Sequence, residues 1–329
     1  MLNLKFNSKN CVCYPIMNDC LKNDSNELSS VSIEENIDEY QYLNLLKNVL
    51  NEYDEKEDFR KNRTEISTIS LFGPQIEFDL RKGFPLLTTK KVFFKGVVEE
   101  LLWFLRGQTN NKILNEKGVH IWDGNGSKEF MEKLGLDYPE GELGPVYGYS
   151  WRHFGGNYNP NNADNTHSNE GGFDQISYII NLLKTDPFSR RIILNGWNPC
   201  VLDKVVLPPC HMMCQFYVSN KMELSCKLYL RSNDLFLGAP FNIASYSLLT
   251  HMLAHMCNLK IGKLIYTIGD AHIYKNHIDQ VKEQLQRIPR QFPTLRIVDK
   301  PDNIEDFRYE SFVIENYNPY PIIKAKMAV

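Results

Sequence analysis

Residues 207–234 read LPPCHMMCQFYVSNKMELSCKLYLRSND. HMMCQFYV and MELSCKLYL alternate apolar and polar positions around Ser219, Asn220 and Lys221, which predicts a β-hairpin. Pro208 and Pro209 fix the approach of the chain, so Cys210 enters the first strand from a rigid bend. A reactive cysteine needs nearby positive charge or donors, and Arg190, Arg191 and Arg231 are candidates. A buried structural cysteine is the ordinary alternative. Cys210 and Cys214 also have the spacing of half a metal site, but no second half is evident.

Upstream, residues 186–197 read DPFSRRIILNGW. RRIILNGW predicts a strand in which Arg190 and Arg191 point to opposite faces. The apolar run beside them favours burial or an interface over open solvent. Guanidinium groups bind phosphate in a bidentate way. The chain has neither G-x-x-x-x-G-K-[ST] nor G-x-G-x-x-G, so phosphate binding falls to arginine. Downstream, a helix is predicted over 241–257 with Pro240 at its mouth. His251 and His255 lie one turn apart there, but HMLAH lacks the glutamate of a zinc-protease helix, so both are expected in the core or on the surface.

Further upstream, KKVFFKGVVEELLWFLRG predicts a long helix, capped by Thr88 or Thr89 and stopped at Gly107. Glu100 shares a face with Gly96, Trp103 and Gly107. A carboxylate held against such groups has a raised pKa and suits proton transfer near neutral pH. Its neighbour Glu99 is expected to be exposed. A helix over 40–53 buries Tyr42, Leu45, Leu46, Val49 and Tyr53. Residues 66–80 read as extended structure with a turn at Gly73-Pro74. Residues 154–172 form a Gly/Asn-rich loop, and a helix follows over 173–184. Helices and strands mix without βαβ alternation, which predicts an α+β fold with a mixed sheet.

Composition bounds the function. The chain has 329 residues, 43% of them hydrophobic and 23% charged, with a net charge of -3. That balance is globular and argues against nucleic-acid binding as a main role. No apolar run approaches the ~18 residues of a membrane span. The N-terminus lacks the apolar centre of a signal peptide, so an intracellular protein is expected. Eight cysteines are too few for a disulfide scaffold, which favours reduced thiols. Residues 1–37 are rich in Asn, Ser, Lys and Asp and are expected to form a flexible extension. Their Cys11, Cys13 and Cys20 have no fourth zinc ligand nearby.

Ten motifs occur in order: KGFPLLTTKK, EELLWFLRG, LGPVYG, WRHFG, SRRII, LPPCH, QFYV, FLGAPFNIASY, GDAHIYKNH and the terminal KMAV. Together they resemble the thymidylate synthase family from about residue 38 to the end. KEFMEKLGLDYPEGELGPVYG is similar to eukaryotic-type members, including the synthase part of protozoan bifunctional dihydrofolate reductase-thymidylate synthases. The resemblance implies a catalytic domain over 38–329. It implies a mixed twisted sheet packed with long helices and a sheet-to-sheet homodimer. The implied reaction methylates dUMP with 5,10-methylenetetrahydrofolate as co-substrate and no metal, in the cytoplasm, with the nucleus also allowed.

The resemblance also implies roles. Cys210 attacks C6 of dUMP. Arg63, Arg190, Arg191, Arg231 and Ser232 hold the phosphate, with Arg190 and Arg191 donated across the dimer. Asn242 reads the uracil edge, and His272 and Tyr274 contact the 3′-hydroxyl. Glu100 moves protons at O4, Tyr147 assists removal of the C5 proton, and His211 supports the network near the base. Asp234 binds the pterin. Trp122, Gly238 and Phe241 line the folate pocket, and the carboxylate of Val329 helps close it.

Several residues depart from the family pattern. Leu230 stands for a glutamine, which is expected to leave polar neighbours unpaired. Asn233 stands for a cysteine. Glu65 stands for a glycine and puts negative charge near the phosphate. Three other functions are weighed against the synthase. They are a nucleotide hydroxymethylase, whose members usually carry Asp where Asn242 stands, a thiol hydrolase, and a non-catalytic binding protein.

Overall fold

The longest strand, β6 (Lys260–Tyr274), organises the main sheet. Its apolar side chains alternate into the core. The computed structural model describes residues 36–52, 60–62, 64–162 and 171–327. The three N-terminal cysteines, Tyr53, Arg63 and Val329 lie outside the described residues, as does nearly all of the expected extension.

β1 (Thr68–Phe72) and β2 (Gln75–Asp79) both pair antiparallel with β6, at 270–274 and 263–267 respectively. Both therefore run in one direction. Gly73-Pro74 is a kink within a continuing edge and not a hairpin turn. Gly73 supplies the kink's left-handed φ of 84°, which glycine adopts without steric cost.

The predicted hairpin forms from β4 (His211–Val218) and β5 (Glu223–Asp234). β3 is shorter than expected, Ile193–Asn195, and pairs with β4. β5 and β6 run parallel, so the sheet is mixed, in the order β1-β6-β5-β4-β3 with β2 also on β6. β7 (Thr294–Ile297) and β8 (Phe312–Glu315) form a separate two-stranded sheet.

The helix Gly238–Met256 is apolar nearly all round and packs on both β5 and β6. It starts earlier than expected, with Pro240 inside the first turn, where a missing N–H is harmless. His251 and His255 bond to the carbonyls of Ser247 and Asp299.

α2 (Phe94–Leu105) is also buried almost all round. Neither Thr88 nor Thr89 caps it. Both threonines bind Glu39, on α1 (Ile37–Asn51), through hydroxyl and backbone N–H groups at 2.7–3.0 Å. Glu39 is fully buried, and this lock ties α1 to the segment before α2. No helix among the described residues is long and apolar enough to cross a membrane.

Candidate active site

Cys210 lies just before β4, and Arg231 faces it from β5. The Arg231 N–H donates to the Cys210 carbonyl at 2.9 Å. Its guanidinium donates to the carbonyls of Pro209 and Pro208 at 2.9 and 2.7 Å and to Cys210 Sγ at 3.7 Å. The prolines have no N–H with which to join a ladder, so the guanidinium fastens the bend. Arg231 stays in place because β6 comes close behind it. A Cβ on Gly269 would lie 2.7 Å from the Arg231 carbonyl.

Tyr147 forms the next part of this wall. Its hydroxyl accepts from the Cys210 N–H at 2.8 Å, and its ring stacks on His211 at 3.8 Å and 7°. His211 Nδ1 is 2.7 Å from the Tyr246 hydroxyl. Burial lowers His211 to about 3, so the imidazole is neutral at physiological pH. Burial also holds the Tyr147 phenol well above its usual range.

Opposite, Glu100 accepts from Trp122 Nε1 at 2.8 Å. Burial raises its carboxyl to about 7, against the lowering effect of the Trp122 bond. This agrees with the expectation from its helical face. Glu99 does not agree: it is buried and pairs with Lys117 at 2.6 Å. Glu99, expected to face solvent, is thus covered by one long lysine, which periodicity does not reveal. Gly96 keeps the face open. A Cβ there would lie 2.6 Å from the Phe93 ring and 3.3 Å from Phe241.

A third group gathers where β5 and β6 end beside the helix Gly238–Met256. Burial alone would raise the Asp234 carboxyl, but His277, His272 and the Phe236 N–H hold it below its usual value. Asn242 Oδ1 accepts from Asn233 Nδ2 at 2.9 Å. His272 Nδ1 is 3.3 Å from Asp270 Oδ1, and Arg60 pairs with the other oxygen of Asp270 at 2.6 Å.

These groups line one cavity of about 780 Å³, a size ordinary for small-molecule sites, which run ~300–1,000 Å³. Cys210, Tyr147, His211, Glu100 and Trp122 line it, as do Arg231, Ser232, Asp234, Gly238, Phe241, Asn242, His272 and Tyr274. Arg190 and Arg191 do not. They are exposed in a turn before β3 and not in a strand, so the expected alternation of their faces fails. Two of the departures also lie elsewhere. Leu230 is fully buried in the apolar core. Glu65 is exposed and is not among the lining residues.

The cavity also takes in Arg60, Asp270, Trp197 and Asn125. Trp197 lies 5.6 Å from the Arg231 guanidinium, within cation–π range. GDAHIYKNH and RRIILNGW marked the neighbourhoods of Asp270 and Trp197, but nothing local marked Arg60. Among the described residues no group of three or more His, Cys, Asp or Glu is placed to hold a metal ion.

Comparison with known proteins identifies the family. The sequence model of the family described as Thymidylate synthase matches residues 40–329. The chain is 55% identical to the thymidylate synthase of Homo sapiens over 292 residues, 88% of this chain and 91% of that one. It is 51% identical to the thymidylate synthase of Saccharomyces cerevisiae over 305 residues, 89% of this chain and 98% of that one. It is 50% identical to a bifunctional dihydrofolate reductase-thymidylate synthase of Zea mays over 314 residues, 94% of this chain but only 59% of that longer protein. With a family match over residues 40–329 and relatives more than half identical covered over most of their own length, the chain belongs to the thymidylate synthase family.

Proposed function

We propose that the chain converts dUMP to dTMP with 5,10-methylenetetrahydrofolate, through Cys210 and the residues gathered around it. The observation that carries this reading is the meeting of a cysteine, an arginine against its sulfur, a buried carboxyl poised near neutrality and a side-chain amide in one cavity.

Cys210 Sγ adds to C6 of the uracil, and the electron pair of the C5–C6 bond makes C5 nucleophilic. Arg231 lies against the sulfur that carries the charge of attack. Glu100 shares a proton with O4 as the ring charge rises and falls, which a carboxyl near pH 7 does efficiently. The folate supplies a one-carbon unit and then a hydride. Tyr147 assists departure of the C5 proton, and the sulfur leaves C6 as the double bond re-forms. Neutral His211 steadies Tyr147 by stacking. Asn242 reads the uracil edge, and His272 and Tyr274 take the 3′-hydroxyl. Trp122, Gly238 and Phe241 hold the folate, with Asp234 on its pterin. Ser232 and Arg63 join Arg231 at the phosphate, and the carboxylate of Val329 closes the site.

The remaining phosphate ligands come from a second copy. Arg190 and Arg191 are exposed and lie outside their own chain's cavity. Beside them the sheet presents exposed apolar side chains, Ile193, Met213 and Tyr217. A homodimer packed through this face buries those side chains and supplies both arginines to the partner's phosphate. This gives a complementation test. An inactive Cys210→Ala chain mixed with an inactive chain carrying Arg190→Ala and Arg191→Ala regains partial activity after refolding together. No recovery from well-folded mixed dimers refutes the shared site.

The function itself is tested by following dihydrofolate formation from dUMP and methylenetetrahydrofolate by absorbance, with dCMP as the control. Product with dUMP alone is expected. Cys210→Ala removes turnover while dUMP still binds. Near-normal turnover in that variant ends the assignment of Cys210.

A further inference from the structure

Asn242 is held by a neighbour that the reaction itself does not call for. Tyr266 is fully buried on β6, and its hydroxyl donates to Asn233 Oδ1 at 2.7 Å. Asn233, itself 4% exposed at the end of β5, passes the bond on, its Nδ2 donating to Asn242 Oδ1 at 2.9 Å. Asn242 lines the cavity, and its Nδ2 has no protein partner among the described residues.

A side-chain amide has one donor end and one acceptor end, so a chain of amides has a direction. Here the direction is set at the buried end. If both amides were turned over, Asn233 Nδ2 would donate to the Tyr266 oxygen, and the phenol proton would lose its acceptor in a dry site. If Asn242 alone turned, two NH2 groups would face each other. A buried donor left unsatisfied carries a heavy penalty. The relay therefore keeps the Asn242 NH2 as the donor offered to the cavity.

We infer that Asn233 and Tyr266 are positioning residues that set the base specificity of the site, by fixing the Asn242 amide in the orientation that fits uracil and rejects cytosine. The inference rests on the proposed reading of Asn242 as the contact to the base edge. Uracil presents an acceptor at O4 and a donor at N3. The Asn242 NH2 meets O4, and the second lone pair of Oδ1 takes N3–H. Cytosine presents a donor at the 4-position and an acceptor at N3, and fits only the reversed amide.

Asn233→Asp tests this at nearly constant shape. An ionised carboxyl only accepts. It takes the Tyr266 hydroxyl as before, but now draws the Asn242 NH2 toward itself and turns Oδ1 to the base. The readout is the ratio of dissociation constants for dCMP and dUMP, from calorimetric titration of the full chain without folate. The ratio is expected to fall roughly 10- to 100-fold, the scale of one mispaired buried donor. Lowering the pH protonates the introduced carboxyl, restores a donor toward Asn242 and brings the dUMP preference back. Loss of shape alone would weaken both nucleotides together and would show no such recovery.

Tyr266→Phe serves if the acidic variant folds poorly. It removes the donor that sets the direction, so both amides turn freely, and the ratio falls severalfold without inverting. A folded Asn233→Asp or Tyr266→Phe protein that binds the two nucleotides with the wild-type ratio overturns the relay and leaves the proposed function standing. A wild-type chain that binds neither nucleotide overturns both.

Discussion

Glu39 and Glu100 are both buried, and they are buried in opposite ways. Glu39 is surrounded by donors: the hydroxyls and N–H groups of Thr88 and Thr89, with Asn36 Nδ2 at 3.3 Å. Among the described residues Glu100 has one hydrogen-bond partner, the Trp122 indole. Burial raises both carboxyls. At Glu39 the donors answer the charge and the residue acts as a fastening. At Glu100 the charge is left nearly unanswered, so the proton comes and goes near neutral pH. The difference teaches that depth alone does not make a carboxyl reactive. The number of donors aimed at it separates a structural acid from one able to work.

The largest effect expected from this contrast is on turnover. Glu100→Gln cannot exchange a proton, and its dihydrofolate production should fall about 10²- to 10⁴-fold, the usual contribution of a positioned acid or base. The same substitution should not weaken the fold. Between the ordinary value of 4.5 and about 7, the folded state holds a proton that the unfolded state has released. Stability therefore falls as pH rises through that window. At pH 8 the Gln variant avoids this loss, worth about 3 kcal/mol. Denaturant melts of both proteins at pH 5 and pH 8 check the point. An advantage equal at both pH values would show that Glu100 is not held protonated.

Glu39→Gln should do the reverse. It sets an NH2 group against threonine donors and should cost about 3 kcal/mol of stability. Enzyme that remains folded at low temperature should keep kcat within about twofold. A large fall in kcat with unchanged melting would make Glu39 part of the chemistry and dissolve the contrast. The smallest effect belongs to Trp122→Phe. Removing the one donor on Glu100 raises its pKa further, so the acid limb of the pH–rate profile should move to higher pH. A limb that stays in place would assign it to another group.

The contrast also marks how far the residues could be read in order along the chain. Glu100 was legible because a helix brings Gly96 and Trp103 onto its face, and Cys210 because two prolines precede it. The hairpin was legible from its alternation. Glu39 was not, since its donors lie about fifty residues downstream, and the same distance hid the true work of Thr88 and Thr89. Strand β6 pairs with two segments nearly two hundred residues before it, so the kink at Gly73-Pro74 reads locally as a turn. Arg60 enters the cavity through Asp270, and the Asn233 relay through Tyr266. Neither partnership leaves a mark on its own neighbourhood.

The clasp on the Pro-Pro bend limits what Arg231 has left to give. A guanidinium carries five N–H hydrogens. Nε serves Pro209, and the two on Nη2 serve Pro208 and the sulfur. Among the described residues only Nη1 is left uncommitted. A phosphate can therefore take no fork from Arg231, since the edge that would supply it is spent on holding the nucleophile. One arginine is asked to be both hinge pin and hand, and it has only the two hydrogens of Nη1 free. A dianion needs several paired contacts, and the rest must come from guanidinium groups that hold nothing else. That arithmetic, independent of any surface, supports the proposal that Arg63 and the arginines of a second copy share the phosphate with Arg231.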